Sequence, residues 1–390
     1  MIKVGIDSLS FYTAHYALDL AELAKARGIE AEKYYVGLGQ HKMAVPPPDE
    51  DIVTMAANAG KRALRGHDVN QIAMLLFATE SGIDQSKAAG IYVHDLLDLP
   101  ERCRTIELKQ ACYSGTMALQ LALPFLREHP NKKVLLIASD IARYGLNTAG
   151  ESSQGCGAVA MVLSANPRIL EFEREYGVVT ESVMDFWRPN YRDEALVEGK
   201  YSSKLYMTML EKTWKQYQAE SKRNFNDHRY FCYHTPVPRL VEKAHQYFVK
   251  INALNSPEDT WMEQIRYSLE YGRQLGNSYT ASLYIGLASL LDFVQEDLTG
   301  QRIGLYSYGS GCVAEYFSGV VQPGYRAALD TIHHRQQLQD RVMLSYAEYQ
   351  EFYSFACPQD GSNFATPRHQ TGAFRMAGLT DHKRMYEKVT

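Results

Sequence analysis

The sequence predicts an α/β protein made of two similar halves, with central sheets covered on both faces. Three observations carry this reading. Strand-length runs such as Gln71–Thr79, Val134–Ser139 and Ala158–Leu163 are apolar at almost every position, as in strands buried on both sides. Helical segments alternate with them, the order that builds sheets flanked by helices. A strand–loop–helix, strand, strand order then recurs later in the 390 residues, a length that suits two domains or two fused halves.

Taken in order, Lys3–Ile6 reads as a short strand and Leu18–Ala26 as a short helix closed by Gly28. Pro46, Pro47 and Pro48 mark a loop, after which Asp51 is placed to cap a helix through Ala63. Gln71–Thr79 is a buried strand, Ser86–Leu97 a helix and Arg104–Leu108 a strand. Tyr113–Arg127 is a nearly all-apolar helix, followed by the strands Val134–Ser139 and Ala158–Leu163. The second half offers the strand Arg229–His234, the helices Val237–Val249 and Ser278–Phe293, and the strands Arg302–Ser307 and Gly311–Val320. The halves are therefore 1–165 and 166–390. Within the second, 166–225 is richer in charge and aromatic residues and reads as an insertion. Residues 325–390 read as a polar surface extension with a helix near Ala327–Leu344.

Composition removes several function classes. Net charge is −4, from 41 Lys and Arg against 45 Asp and Glu, so a general nucleic-acid binder or polybasic membrane protein is not expected. No apolar run approaches the ~20 residues that span a bilayer. The start, MIKVGIDSLS, lacks the basic and apolar regions of a secretory signal, and a cytoplasmic location is expected. Six cysteines without a CxxC pair make neither a disulfide scaffold nor a structural zinc site, and no metal is expected.

Cys112 stands between a strand and an apolar helix, in Lys109-Gln110-Ala111-Cys112-Tyr113-Ser114-Gly115-Thr116. A thiol at a helix N-terminus faces unpaired N–H groups, which would lower its pKa and favour the thiolate. Ser114 and Gly115 would leave room for an acyl group. Glu80 ends the apolar run Gln71–Thr79, where α/β folds place ligands, and burial there would raise its pKa toward the proton-transfer range. His234 ends a strand before Thr235-Pro236 and could donate a proton or orient a carbonyl. Asn277 and the glycine loop Ser307-Tyr308-Gly309-Ser310-Gly311 complete the set, the loop offering backbone donors to an oxyanion. Each also has a bland reading: a buried structural cysteine, a loop acid, a core histidine, plain turns.

Together these segments resemble the thiolase-like superfamily and, within it, the 3-hydroxy-3-methylglutaryl-CoA synthases. The resemblance runs from Val4 to about Tyr325. It is carried by Gly37-Leu38-Gly39-Gln40, Glu80-Ser81-Gly82-Ile83-Asp84, Gln110 to Thr116, and Ala138-Ser139-Asp140-Ile141-Ala142-Arg143-Tyr144-Gly145. Asp185-Phe186-Trp187-Arg188-Pro189, Tyr233-His234-Thr235-Pro236, Gly276-Asn277 and the loop Ser307–Gly311 follow in the same order. The resemblance implies two duplicated halves with mixed five-stranded sheets in an αβαβα stack.

It further implies an acyltransferase of the mevalonate pathway, with acetyl-CoA and acetoacetyl-CoA as partners and no cofactor beyond coenzyme A thioesters. Cys112 would take the acetyl group, Glu80 would remove a proton from its methyl, and His234 would hold and protonate the second substrate beside Asn277. Backbone N–H groups of Cys112 and the Ser310 loop would form the oxyanion hole. Asp84, Asp140 and Asp185 would shape the site, Tyr144 and Ser307 would lie near substrate, and Arg239 and Lys243 would meet CoA phosphates. The family implies a homodimer. Polyketide-pathway homologues, which draw their acyl groups from acyl carrier proteins, share Gln110–Thr116 and His234-Thr235-Pro236 and give the alternative reading.

Overall fold

The computed structural model describes residues 2–254 and 257–389. The first half holds five strands: β1 (Val4–Tyr12), β2 (Ile72–Ala78), β3 (Arg104–Leu108), β4 (Lys133–Ile141) and β5 (Cys156–Ala165). They lie in the order β1-β5-β4-β2-β3, antiparallel for the first two pairs and parallel for the last two. The second half supplies β6 (Leu170–Thr180), β7 (Tyr230–Tyr233), β8 (Arg302–Gly309) and β9 (Val313–Val321). Their order, β6-β9-β8-β7, repeats the first pattern one strand short: antiparallel, antiparallel, parallel. The two ladders meet through Gly5–Glu171 and Ile6–Leu170 to make one nine-stranded sheet. A Cβ at Gly5 would lie 1.9 Å from the Leu170 carbonyl oxygen, so glycine is what lets the halves join.

The principal helices are α1 (Ile52–Ala63), α2 (Ser114–Glu128), α3 (Gly199–Ser221), α4 (Pro238–Ile251) and α5 (Ser282–Phe293). Asp51 caps α1 by accepting the Val53 and Thr54 N–H groups, as its sequence position predicts. Strand residues alternate between layers. In β4, Leu135 and Ile137 pack outward with α1, and Val134, Leu136 and Ala138 inward with α2 and α5. In β8, Ile303 and Leu305 face the same inner layer, and Tyr306 and Tyr308 pack outward with α3 and α4. The result is the expected αβαβα stack, with α2 and α5 buried in the middle.

Two expectations are corrected. Among the described residues the second half contributes four strands to the central sheet, not five. Between α4 and α5, where the first half has β3, the chain forms the short helices Glu258–Glu263, Arg266–Leu269 and Gly272–Leu275, and that stretch has no β-branched run to favour a strand. The supposed insertion 166–225 contains β6, a core strand, and α3, which covers it. The C-terminal region is also less peripheral than expected. After the helix Thr331–Gln339, a hairpin of Phe374–Thr380 and Lys383–Lys388 docks on the start of α1. Buried Arg375 pairs with Asp49 at 2.9 Å, and the Tyr386 hydroxyl donates to Asp51 at 2.6 Å. No helix among the described residues is long and apolar enough to cross a membrane.

Candidate active site

β2 delivers Glu80 and the loop before α2 delivers Cys112. The structure brings them together: the Cys112 Sγ–H donates to Glu80 Oε1 at 2.9 Å. Burial and the neighbouring Glu80 and Asp140 carboxyls push the thiol well above its ordinary pKa. Burial, then the charge of Asp140, pushes Glu80 up to about 8. This overturns the expected thiolate: beside a carboxylate in a desolvated site, the helix N-terminus does not decide the charge. A base 2.9 Å from a neutral thiol is an arrangement for removing its proton on demand.

The backbone around Cys112 is strained. Ala111 has φ of +43°, a left-handed value that costs a non-glycine residue energy. Gln110 Nε2 donates to the Ser310 carbonyl at 3.0 Å, tying this loop to the β8–β9 turn. A Cβ on Gly309 would lie 2.6 Å from the Tyr113 backbone nitrogen, so the two loops pack main chain to main chain only because that residue is glycine. Gly115 answers a packing need: a Cβ there would lie 3.1 Å from the Thr280 carbonyl oxygen.

Asp140 is fully buried and serves as a brace. One oxygen accepts Thr79 Oγ1 at 2.8 Å and the Glu80 and Ser81 N–H groups, each at 2.9 Å. The other accepts the Thr280 N–H at 3.0 Å and the Thr280 hydroxyl. Asp185, also fully buried, accepts the Gly311 N–H at 2.8 Å, Tyr308 OH at 2.6 Å and Ser202 Oγ at 3.0 Å. Both acids therefore hold loops, and their oxygens are occupied by protein donors.

His234 ends β7, buried, with its N–H on the Tyr306 carbonyl at 2.8 Å. Its Nδ1 lies 2.6 Å from Ser282 Oγ. That oxygen also accepts the Thr235 N–H at 3.2 Å, and a Ser282 hydroxyl proton given to Nδ1 puts the ring proton on Nε2. Burial pushes His234 down to about 3, so the resting ring is neutral and acts as a hydrogen-bond donor. Ser282 was not read from the sequence; it opens an apolar helix and its partner lies 48 residues away. Asn277 donates from Nδ2 to Tyr144 OH at 3.1 Å and accepts the Tyr279 N–H at 2.8 Å. The rings of Tyr144, Phe186 and Tyr279 form a cluster with centroids 5.8–6.1 Å apart. One segment, Asn277–Ser282, thus anchors Tyr144, Asp140 and His234.

A cleft of about 1700 Å³ opens onto Glu80, walled by Ser81–Asp84, Tyr144, Phe186–Pro189 and Ser310, with Tyr353–Gln359 opposite. Arg188, read only as part of a motif, donates to the Glu80 carbonyl, and its charge favours the ionised Glu80. Asp84 is exposed and caps a turn through the Ser86 and Lys87 N–H groups. Of the expected site residues, Glu80, Asp84, Tyr144 and Ser310 border the cleft, and Cys112, Asp140, Asp185, His234, Asn277, Ser307, Arg239 and Lys243 do not. Ser307 is buried, where Oγ accepts the Thr116 hydroxyl at 2.8 Å. Arg239 pairs with Glu242 at 2.7 Å, and Lys243 borders a separate recess with Tyr247 and Trp261. The two sit on α4, and neither lines the cleft.

Comparison with known proteins gives consistent matches. Residues 2–167 match the model for the N-terminal domain of hydroxymethylglutaryl-coenzyme A synthase, and 245–356 the model for its C-terminal domain. The hydroxymethylglutaryl-CoA synthase of Enterococcus faecalis is 40% identical over 354 residues, covering 90% of this chain and 92% of the relative. A polyketide biosynthesis 3-hydroxy-3-methylglutaryl-ACP synthase of Bacillus subtilis is 34% identical over 371 residues, covering 90% of this chain and 88% of the relative. A crystal structure of an HMG-CoA synthase complexed with CoA superposes with a TM-score of 0.95 at 39% identity, covering 99% of this chain and 100% of the other.

Proposed function

The chain belongs to the hydroxymethylglutaryl-CoA synthase family, and on that premise we propose how its residues condense acetyl-CoA with acetoacetyl-CoA and water to give 3-hydroxy-3-methylglutaryl-CoA and CoA. The observation that carries the proposal is the Cys112–Glu80 hydrogen bond. Sγ attacks the acetyl thioester while its proton passes to Glu80. CoA leaves and takes that proton, and the acetyl group stays on sulfur. The freed Glu80 carboxylate removes a methyl proton, and the resulting carbanion forms a carbon–carbon bond to the ketone of acetoacetyl-CoA. His234 Nε2–H holds the ketone oxygen as it gains charge, with Asn277 ordering the pocket through Tyr144. That oxygen ends as a hydroxyl, protonated from Glu80. Water, deprotonated by Glu80, then splits the thioester, and the proton returns to Cys112. Backbone N–H groups of Cys112 and Ser310 serve as oxyanion donors, their loops being tied by Gln110.

The CoA thioester reading is favoured by the 40% identity to a hydroxymethylglutaryl-CoA synthase against 34% to the carrier-protein homologue. A mevalonate-pathway role in the cytoplasm follows from the same reading. A homodimer is supported by the edge strand β3, whose outer edge has no strand neighbour among the described residues and whose Ile106 is 55% exposed. Chromatography of the products tests the reaction: the protein with acetyl-CoA and acetoacetyl-CoA should release 3-hydroxy-3-methylglutaryl-CoA, and Cys112→Ala should release none. Turnover only with acetylated carrier protein would favour the polyketide reading.

A further inference from the structure

The geometry points to Glu315 as a positioning residue for the nucleophile, acting through the phenol of Tyr113; this rests on the reading of Cys112 as the acetyl acceptor. Tyr113 follows Cys112 directly and heads α2. Its hydroxyl donates to Glu315 Oε2 at 2.6 Å. The other carboxylate oxygen accepts the amide of Gln120, two turns further along the same helix. Glu315 lies on β9, 2% exposed, directly across the ladder from Ser307 on β8. Ser307 in turn accepts the hydroxyl of Thr116. Residues 113, 116 and 120 share one helix face, so the second half grips the first two turns of α2 at three points.

A carboxylate is costly in such a place, and an apolar side chain of similar volume would pack without that cost. Both of its oxygens are used by α2, which identifies what the acid does. The grip matters because Ala111 is held at φ +43°. A backbone of this kind persists only when its surroundings over-determine it. Upstream, Gln110 is tied to the Ser310 carbonyl; downstream, Tyr113 is tied to Glu315. Cys112 lies between the two ties. With the downstream tie cut, Ala111 relaxes toward an ordinary φ and Sγ leaves its 2.9 Å contact with Glu80.

The test is rapid-quench acetylation by acetyl-CoA, read by protein mass, on Tyr113→Phe, Glu315→Ala, Glu315→Gln and the Tyr113→Phe/Glu315→Ala pair. Tyr113→Phe removes one oxygen and keeps the ring packed, so it tests the bond even if Glu315→Ala does not fold. Tyr113→Phe and Glu315→Ala should each slow acetylation ~10–100-fold, the cost of a small misplacement. The pair should be no slower than the slower single variant. Glu315→Gln, which still offers Tyr113 an oxygen, should acetylate close to the parent rate, and KM for acetoacetyl-CoA should not move. Acetylation of Tyr113→Phe at the parent rate, or losses that multiply in the pair, would overturn the inference. A parent protein that takes no acetyl overturns the reading of Cys112, and the inference with it.

Discussion

At the residue scale the controlling fact is that Cys112 and Glu80 share a proton across 2.9 Å. Glu80 is raised to about 8, so below that pH the pair holds both protons and the base is blocked. Acetylation should therefore speed up as pH rises and level off above about 8, where Glu80 is ionised and the thiol still protonated. Single-turnover acetylation against pH checks this, and Glu80→Gln should abolish the rising limb. A parent profile flat through that pH contradicts the shared-proton account. Sequence patterns placed Glu80 at a strand end and Cys112 before a helix, and the family resemblance put them in one site. The raised pKa of Glu80 was legible from burial at a strand end, but the neutral state of the Cys112 thiol was not. It depends on desolvation and on Asp140, a long-range neighbour that no local pattern announces. Ser282 was hidden for the same reason, since an apolar helix start gives no sign of the histidine it holds.

At the element scale, the loops around the site are held by buried acids rather than by their own conformational preferences. Asp140 joins the end of β2 to the segment leading into α5. Asp140→Ala would strand several buried donors, and each stranded donor costs ~1–3 kcal/mol. Urea unfolding should show a loss of ~3 kcal/mol or more, and Asp140→Asn should recover part of it. A loss under ~1 kcal/mol would mean that the loops hold themselves. The edge strand β3 belongs to this scale too. Ile106→Glu should leave a monomer in sizing chromatography, because a charge there opposes pairing of two such edges; an unchanged dimer would place the interface elsewhere. Elements differed in legibility for a physical reason. β2, β4 and β5 are buried on both faces and read as continuous apolar runs. β6 was missed because Glu171, Glu173, Arg174 and Glu175 interrupt it. It has one buried face at Leu170 and Phe172, and its acids are taken up partly by Arg223 and Arg302.

At the scale of the whole molecule, the site exists only where the halves meet. Glu80, Cys112 and Tyr144 come from the first half, and His234, Asn277 and Ser310 from the second. The duplicated order of elements was visible in the sequence, but the four-stranded second ladder was not, since short helices and a strand of similar length differ little in pattern. The docking of the C-terminal hairpin on Asp49 and Asp51 was also invisible, because its ion pairs join residues more than 300 apart. The central claim is that Cys112 takes its acetyl group from acetyl-CoA. Mass spectrometry of the intact and digested protein, after acetyl-CoA or after acetylated carrier protein, tests it most directly. The account predicts a gain of roughly 42 Da, one acetyl replacing one proton, on the Cys112 peptide with acetyl-CoA, and none in Cys112→Ala. Acetyl on another residue, or transfer from the carrier protein alone, would contradict it.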